Sequence, residues 1–184
     1  MPASKNGTAT PRRLAVKHFA KPDPHTSLEL EPFIGLFHEF IQKKRVDGLL
    51  IDVADYSHVP DGPGVILVGH DVEYALDRTG GRTGLRTLGK AFEEATLEEA
   101  LRETLRKAVG CAQAIESDGR TGLSFDMSTV EIQLVDRLQA PKTPKAVQAV
   151  LDEIEPAVRA LFADSVIELV EASDRRLLPT LRVA

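Results

Sequence analysis

Seven side chains with carboxylate, imidazole or phenol groups fall within twenty consecutive positions of this 184-residue chain. They are Asp52, Asp55, Tyr56, His58, Asp61, His70 and Asp71. Imidazole and carboxylate groups together bind divalent metals or act as a general acid and base, and a polar loop between rigid strands commonly carries them. The candidate catalytic residues are therefore Asp52, Asp55, His58, Asp61 and His70, and the candidate metal ligands are Asp55, His58 and Asp61.

Two short apolar runs at 49–54 and 65–70 border this group and are predicted to be central strands, buried on both sides. The loop between them has no room for a crossover helix, which favours an antiparallel pair. The loop and His70 would then lie about 20 Å apart, at about 3.3 Å per residue, so a metal shared by His58 and His70 would need a second copy of the chain or a loop folded back over the sheet. The structural alternative is that Asp55 and Asp61 only form turns and His58 is solvated.

Asp52 differs from the others because it interrupts a predicted buried run. An unpaired buried carboxylate is costly, so Asp52 is expected to have a partner or to face a cavity.

A second candidate site is the glycine-rich loop at 80–84. Backbone N–H groups of Gly80, Gly81 and Gly84, assisted by Arg82, could bind a phosphate. The loop lacks the Lys-Ser/Thr pair of a P-loop and does not open a predicted helix, so a plain hairpin loop is favoured over an anion site. Covalent catalysis has no candidate, because Cys111 falls in a helical apolar stripe and no serine has a nucleophile-elbow context.

The elements that must position these groups are strands in adjacent pairs, separated by helices. Strands are predicted at 14–19, 49–54, 65–68, 130–135, 166–170 and 177–183, with 72–76 as a continuation of the third. Helices are predicted after Thr26, from Leu97 to about Glu116, and after Thr143, each with a capping residue at its start. Pro32 is expected in the first turn of the first helix, and Thr96 and Glu99 have the spacing of a capping box at the start of the second. This order favours an α+β fold, a two-layer sandwich in which about three helices pack mainly on one face of a mostly antiparallel or mixed sheet. Residues 1–13 are predicted to be a flexible tail and 14–184 a single domain.

Composition limits the classes of partner. The net charge is −5 and the basic residues are dispersed, which argues against nucleic acid, and no apolar run approaches the ~20 residues of a membrane span. The single cysteine excludes an internal disulfide and fits the reducing cytoplasm.

The segment from Leu50 to Val65, followed by Val68-Gly69-His70, resembles an uncharacterised family of small bacterial proteins. Asp136 to Pro141, with Thr143, resembles a second segment of that family, and the two together cover about a fifth of the chain. The resemblance implies a stable family fold and no particular reaction.

We therefore predict a noncatalytic ligand-binding or assembly module that forms a homo-oligomer, through a sheet edge or a helix face. The alternative is a metal-binding protein or metal-dependent enzyme that uses the segment from Asp52 to His70. Neither cofactor nor ligand follows from the sequence.

Overall fold

One antiparallel sheet organises the part of the chain that the computed structural model describes. That part comprises residues 13–21, 28–90, 96–135, 166–170 and 180–184, with Gln148, Asp152, 154–156, 158–160 and Phe162. The strands are β1 (Leu14–Lys21), β2 (Leu50–Tyr56), β3 (Gly64–Gly69), β4 (Val72–Asp77), β5 (Gly84–Gly89), β6 (Ser124–Leu134), β7 (Ile167–Val170) and β8 (Thr180–Val183). Their order across the sheet is β2-β3-β4-β5-β1-β6-β8-β7, and every described pair is antiparallel. The predicted α+β class is confirmed.

Two helices cover one face of this sheet. Helix α1 (Glu31–Lys43) begins after Leu30 without a side-chain cap, and Pro32 lies in its first turn as predicted. Helix α2 (Leu97–Asp118) has the predicted capping box, in which Thr96 and Glu99 exchange side-chain and backbone hydrogen bonds. Described positions between 148 and 160 add a third helical segment. Among the described residues, no helix combines the length and apolarity needed to cross a bilayer.

The apolar core lies between the sheet and these helices. Phenylalanines of α1 pack on β3 and β4 together with Cys111 and Ile115 of α2, which places both helices on the same face. Leucines of α2 pack with Leu14 and Val16 of β1 and with Ile154 and Val158 of the third segment. Because side chains alternate along a strand, Ala15 and Lys17 of β1 must point to the opposite face. We call it the open face because none of the described helices packs on it.

Several predicted elements need correction. The run at 49–54 is not a central strand: β2 is an edge strand, with Leu49 67% and Ile51 62% exposed. Residues 72–77 do not continue β3 but turn back as a separate strand, β4. Strand β5 was missed, because its four-residue core of Leu85 to Leu88 is short and contains an arginine. The predicted helix start after Thr26 is wrong, because residues 28–30 are not helical and α1 begins at Glu31. The predicted cap at Thr143, most of the tail and the second resembling segment lie outside the described residues.

Gly84 allows β1 to approach β5 closely. A Cβ atom at Gly84 would lie 2.4 Å from the backbone oxygen of His18 and 3.0 Å from the Cε of Lys17. The strands could not keep their register around such an atom, so this position requires glycine.

We expect Gly84→Ala to destabilise the fold by about 1–3 kcal/mol, because the added methyl group overlaps a backbone atom that cannot move without breaking the sheet. Gly110→Ala is the matched control. Nothing lies within 4 Å of a Cβ at Gly110 in α2, so the same change should stabilise the protein by about 0.5–1 kcal/mol through helix propensity. Urea denaturation of both variants measures the difference, and equal effects would contradict this account of Gly84.

Candidate functional site

A row of charged side chains crosses the open face at the middle of the sheet. The strand registers align Arg86 of β5, Lys17 of β1, Glu131 of β6 and Arg182 of β8 as direct cross-strand neighbours. Arg82, from the loop before β5, and Asp77, at the end of β4, lie beside this row through their contacts with Glu131 and Lys17. We call these six residues the central cluster.

Lys17 forms a buried ion pair at the centre of the cluster. Its Nζ donates to Asp77 Oδ2 at 2.6 Å, to the Arg82 carbonyl at 2.6 Å and to the Thr79 carbonyl at 3.3 Å. The other oxygen of Asp77 accepts from the Thr79 hydroxyl at 2.7 Å. Burial lowers the pKa of Lys17, and Asp77 opposes that shift. Since all three donors of the ammonium are used, Lys17 is held in place and is not free to act as a base or a nucleophile.

Glu131 is shared by two arginines. Arg82 and Arg182 donate to the same Glu131 oxygen at 2.6 and 2.7 Å. Burial acts to raise the pKa of Glu131, but the two guanidinium groups outweigh it and the net shift is downward. The guanidinium of Arg82 also stacks 4.3 Å above the Phe19 ring, which fixes its orientation.

Arg86 is the least satisfied cation of the cluster. Within the described part of the chain it donates one hydrogen bond, to Gln133 Oε1 at 3.2 Å, and has no carboxylate within 4.0 Å. Burial lowers its pKa, and the charges of Asp77 and Glu73 only oppose that shift from a distance. A guanidinium has five N–H donors in a planar fork, so most of its capacity remains for another acceptor.

A hollow of about 300 Å³ lies beside Arg86. Small apolar groups, among them Ala15 and Pro63, line it together with the polar residues Lys17, Asp77, Thr79, Arg86, Glu131, Gln133 and Thr180. Because Ala15 has only a methyl group, the row of longer side chains around it leaves a depression. Two cations, Arg86 and Lys17, and two carboxylates, Asp77 and Glu131, line the hollow. Lys17 and both carboxylates are paired within the cluster, so Arg86 is the charged group whose capacity remains for an anion.

The structure does not bring the predicted metal and catalytic residues together. Asp52 is exposed on the β2 edge, where its carboxylate accepts the N–H of Val53 at 2.8 Å, so the expectation of a buried partner or a cavity is wrong. Asp55 is exposed, and hydrogen bonds from the side chain and the backbone N–H of Ser57 lower its pKa. His58 stacks on Tyr56. His70 lies at the opposite end of the β2–β3 hairpin, as the predicted antiparallel pairing requires. No group of three potential metal ligands converges in the described residues.

Asp61 occupies the glycine loop that was considered as an anion site. Its Oδ1 accepts the N–H of Gly80 at 2.7 Å and that of Gly81 at 3.4 Å, while the side chain of Arg82 turns to Glu131 and Gly84 packs against β1. The loop therefore does bind a carboxylate, but that carboxylate belongs to the protein. Arg78 adds hydrogen bonds to the carbonyls of Ser57 and Val59, so the two loops are held together and Pro63 is positioned at the hollow.

The central cluster was missed in the sequence because its members are far apart along the chain and each has ordinary neighbours. One signal was present: Lys17 follows the three apolar residues Leu14 to Val16 in β1, as a polar residue facing away from a core would. The partners of Lys17 become evident only from the strand order.

Comparison with known proteins does not assign this chain to a family. No family model matches the sequence, and no curated protein is significantly similar to it. The resemblance noted for the 50–70 segment stays a prediction, and the site must be interpreted from its own chemistry.

We expect Lys17→Met and Asp77→Leu each to cost about 3–5 kcal/mol in the free energy of unfolding, because each leaves a buried charge without its partner. The double variant should lose less than the sum of the two, since it removes both charges. Arg102→Met on α2 is the control, because its exposed pair with Glu98 should contribute less than about 1 kcal/mol. Additive losses in chemical denaturation would show that the Lys17–Asp77 pair is not a coupled unit.

Proposed function

We propose that this protein is a noncatalytic binding module that holds a small organic or inorganic oxyanion in the hollow beside Arg86. The proposal is carried by one observation. A half-buried guanidinium, which has one hydrogen bond and no ion-pair partner among the described residues, faces a hollow of ligand size. An oxyanion there would compensate the desolvation that lowers the pKa of Arg86. Gln133 accepts from Arg86 and donates to Thr180, and all three residues line the hollow.

We propose a noncatalytic role because the other ionisable side chains at the hollow are already paired with one another. Lys17 and Asp77 form an ion pair with each other, and Glu131 forms ion pairs with two arginines. A general acid or base needs a titratable group that can exchange a proton with the ligand. The metal-dependent alternative has weaker support, because its candidate residues lie apart from one another.

We expect inorganic phosphate and small carboxylates to bind wild-type protein, with affinity reduced at least about tenfold in Arg86→Gln, which loses a charge-assisted contact. Arg86→Lys should recover only part of the affinity, because a lysine cannot form the bidentate contact. Arg102→Gln, an equal loss of charge on α2, is the control and should bind as wild type. Isothermal titration calorimetry at fixed ionic strength measures all four proteins. Unchanged affinity in Arg86→Gln, or the same loss in the control, would refute the proposal.

We further propose that the chain forms a homodimer through the side chains of the β2 edge. Leu49 and Ile51 are more exposed than is usual for such residues, and Tyr56 is 43% exposed on the same strand. In a two-fold contact of antiparallel β2 strands, the exposed basic run Lys43–Arg45, near the start of β2, would lie beside Asp55 of the second copy. Because Asp52 already occupies the N–H of Val53, the contact would depend on side chains rather than on strand pairing.

The double substitution Leu49→Ser and Ile51→Ser should convert a dimer to a monomer without loss of fold, because both side chains are exposed. Val166→Ser is the matched control, since Val166 is 59% exposed beside the other edge strand. Sedimentation velocity over a range of concentrations gives the oligomeric state. A wild type that stays monomeric, or a dimer that survives the double substitution, would remove this part of the proposal.

We also propose a cytoplasmic location and a small ligand rather than nucleic acid, on the basis of composition. The single cysteine, buried in α2, fits a cytoplasmic protein, and the dispersed basic residues favour a small ligand over nucleic acid.

A further inference from the structure

The charges around the hollow beside Arg86 are almost balanced. Among the described residues, the ionised side chains that line it belong to Arg86, Lys17, Asp77 and Glu131. Lys17 and Asp77 neutralise each other at 2.6 Å, and Glu131 is bound by two arginines. Arg86 has no such partner in the described part of the chain, so a single negative charge on a ligand would complete the balance.

The unused donors of Arg86 are within reach of a ligand. One N–H of its Nη2 is bound to Gln133 Oε1 at 3.2 Å. Within the described residues, no nitrogen of Arg86 is both buried and without a hydrogen-bond partner, so those that make no hydrogen bond are accessible to solvent. Two adjacent N–H groups of a guanidinium match the two oxygens of a carboxylate, which share one charge.

A second negative charge on the ligand would meet carboxylates. Asp77 and Glu131 line the hollow, and their side chains are only 5% and 12% exposed, so their charges are weakly screened. The two arginines that compensate Glu131, Arg82 and Arg182, line a separate hollow instead. A ligand beside Arg86 therefore meets the carboxylate of Glu131 rather than its arginines.

The lining of the hollow also offers apolar contacts. Ala15 lies two positions before Lys17 on the same face of β1, and Pro63 reaches the hollow from the loop before β3. Their carbon atoms can contact methyl or methylene groups of a ligand. The volume of about 300 Å³ is at the small end of the range for ligand sites, which limits the ligand to a few carbon atoms.

From these features, we propose that the oxyanion bound beside Arg86 is a small monocarboxylate with a short alkyl chain, and that the hollow discriminates against ligands with two negative charges. This inference rests on the proposed function, since it requires an anion at Arg86. It narrows the ligand from oxyanions in general to one charge and one shape. Phosphate monoesters, which carry close to two charges at pH 7, are expected to be weaker ligands.

The experiment titrates butyrate, succinate and acetate into the protein by calorimetry at pH 7.5 and fixed ionic strength. Butyrate and succinate have equal carbon chains and differ in the second carboxylate. Wild-type protein should bind butyrate at least about tenfold more tightly than succinate, because like charges repel at a partly buried site. Butyrate should also bind about three- to tenfold more tightly than acetate, through its additional methylene groups.

Glu131→Gln tests the origin of the charge preference. The amide oxygen can still accept from the two arginines, but the negative charge is lost, so the preference for butyrate over succinate should fall at least about threefold. Glu98→Gln is the matched control. It removes an exposed carboxylate on α2, on the helix-covered side of the sheet, and should leave the preference unchanged.

The comparison of ligands on wild-type protein decides the inference even if Glu131→Gln fails to fold. Succinate bound as tightly as butyrate, or an unchanged preference in folded Glu131→Gln, would overturn the monocarboxylate inference and leave the anion site standing. Absence of binding by all three ligands, or wild-type affinity in Arg86→Gln, would instead remove the proposed function and this inference with it.

Discussion

The buried ion pair between Lys17 and Asp77 is the interaction on which the open face of this sheet depends. It joins β1 to β4 across β5, so three strands are held by one contact in addition to their backbone ladders. Removing two charges from water is costly, and the pair is tolerated because the carbonyls of Thr79 and Arg82 satisfy the remaining donors. The same contacts fix the loop before β5, from which Arg82 reaches Glu131.

The position of Arg86 follows from that arrangement. Lys17 and Arg86 are direct cross-strand neighbours, a placement that is unfavourable for two like charges. Lys17 turns toward Asp77 and Arg86 toward Gln133, so the two cations point to different partners. Because Lys17 takes the nearby carboxylate of Asp77, the charge of Arg86 has little compensation from its neighbours. The small methyl group of Ala15 leaves space beside it. The anion site that we propose would thus be a consequence of how the sheet separates these two like charges.

Many of the polar residues that attracted attention in the sequence have structural roles. Asp61 accepts hydrogen bonds from backbone N–H groups of the glycine loop. Arg78 donates to backbone carbonyls of the β2–β3 loop, and Asp52 accepts from an N–H of the edge strand. Local turn formation was the alternative considered for Asp55 and Asp61, and the hydrogen bond from Ser57 supports it for Asp55. Asp61 instead accepts from a loop that follows it by about twenty positions. A high density of ionisable side chains in a loop is a poor guide to a functional site, because the loop often uses those side chains to hydrogen-bond its own backbone.

The sequence by itself determined the elements with strong local patterns. Helix α2 and its capping box follow from spacing over a few residues, and the antiparallel β2–β3 hairpin follows from the short loop between two apolar runs. Only the tertiary structure decided which strands are central, because apolar content does not distinguish a central strand from an edge strand such as β2. It also decided the site: Lys17, Asp77 and Glu131 are separated by at least fifty positions, and no local pattern encodes a pairing set by the order β4-β5-β1-β6.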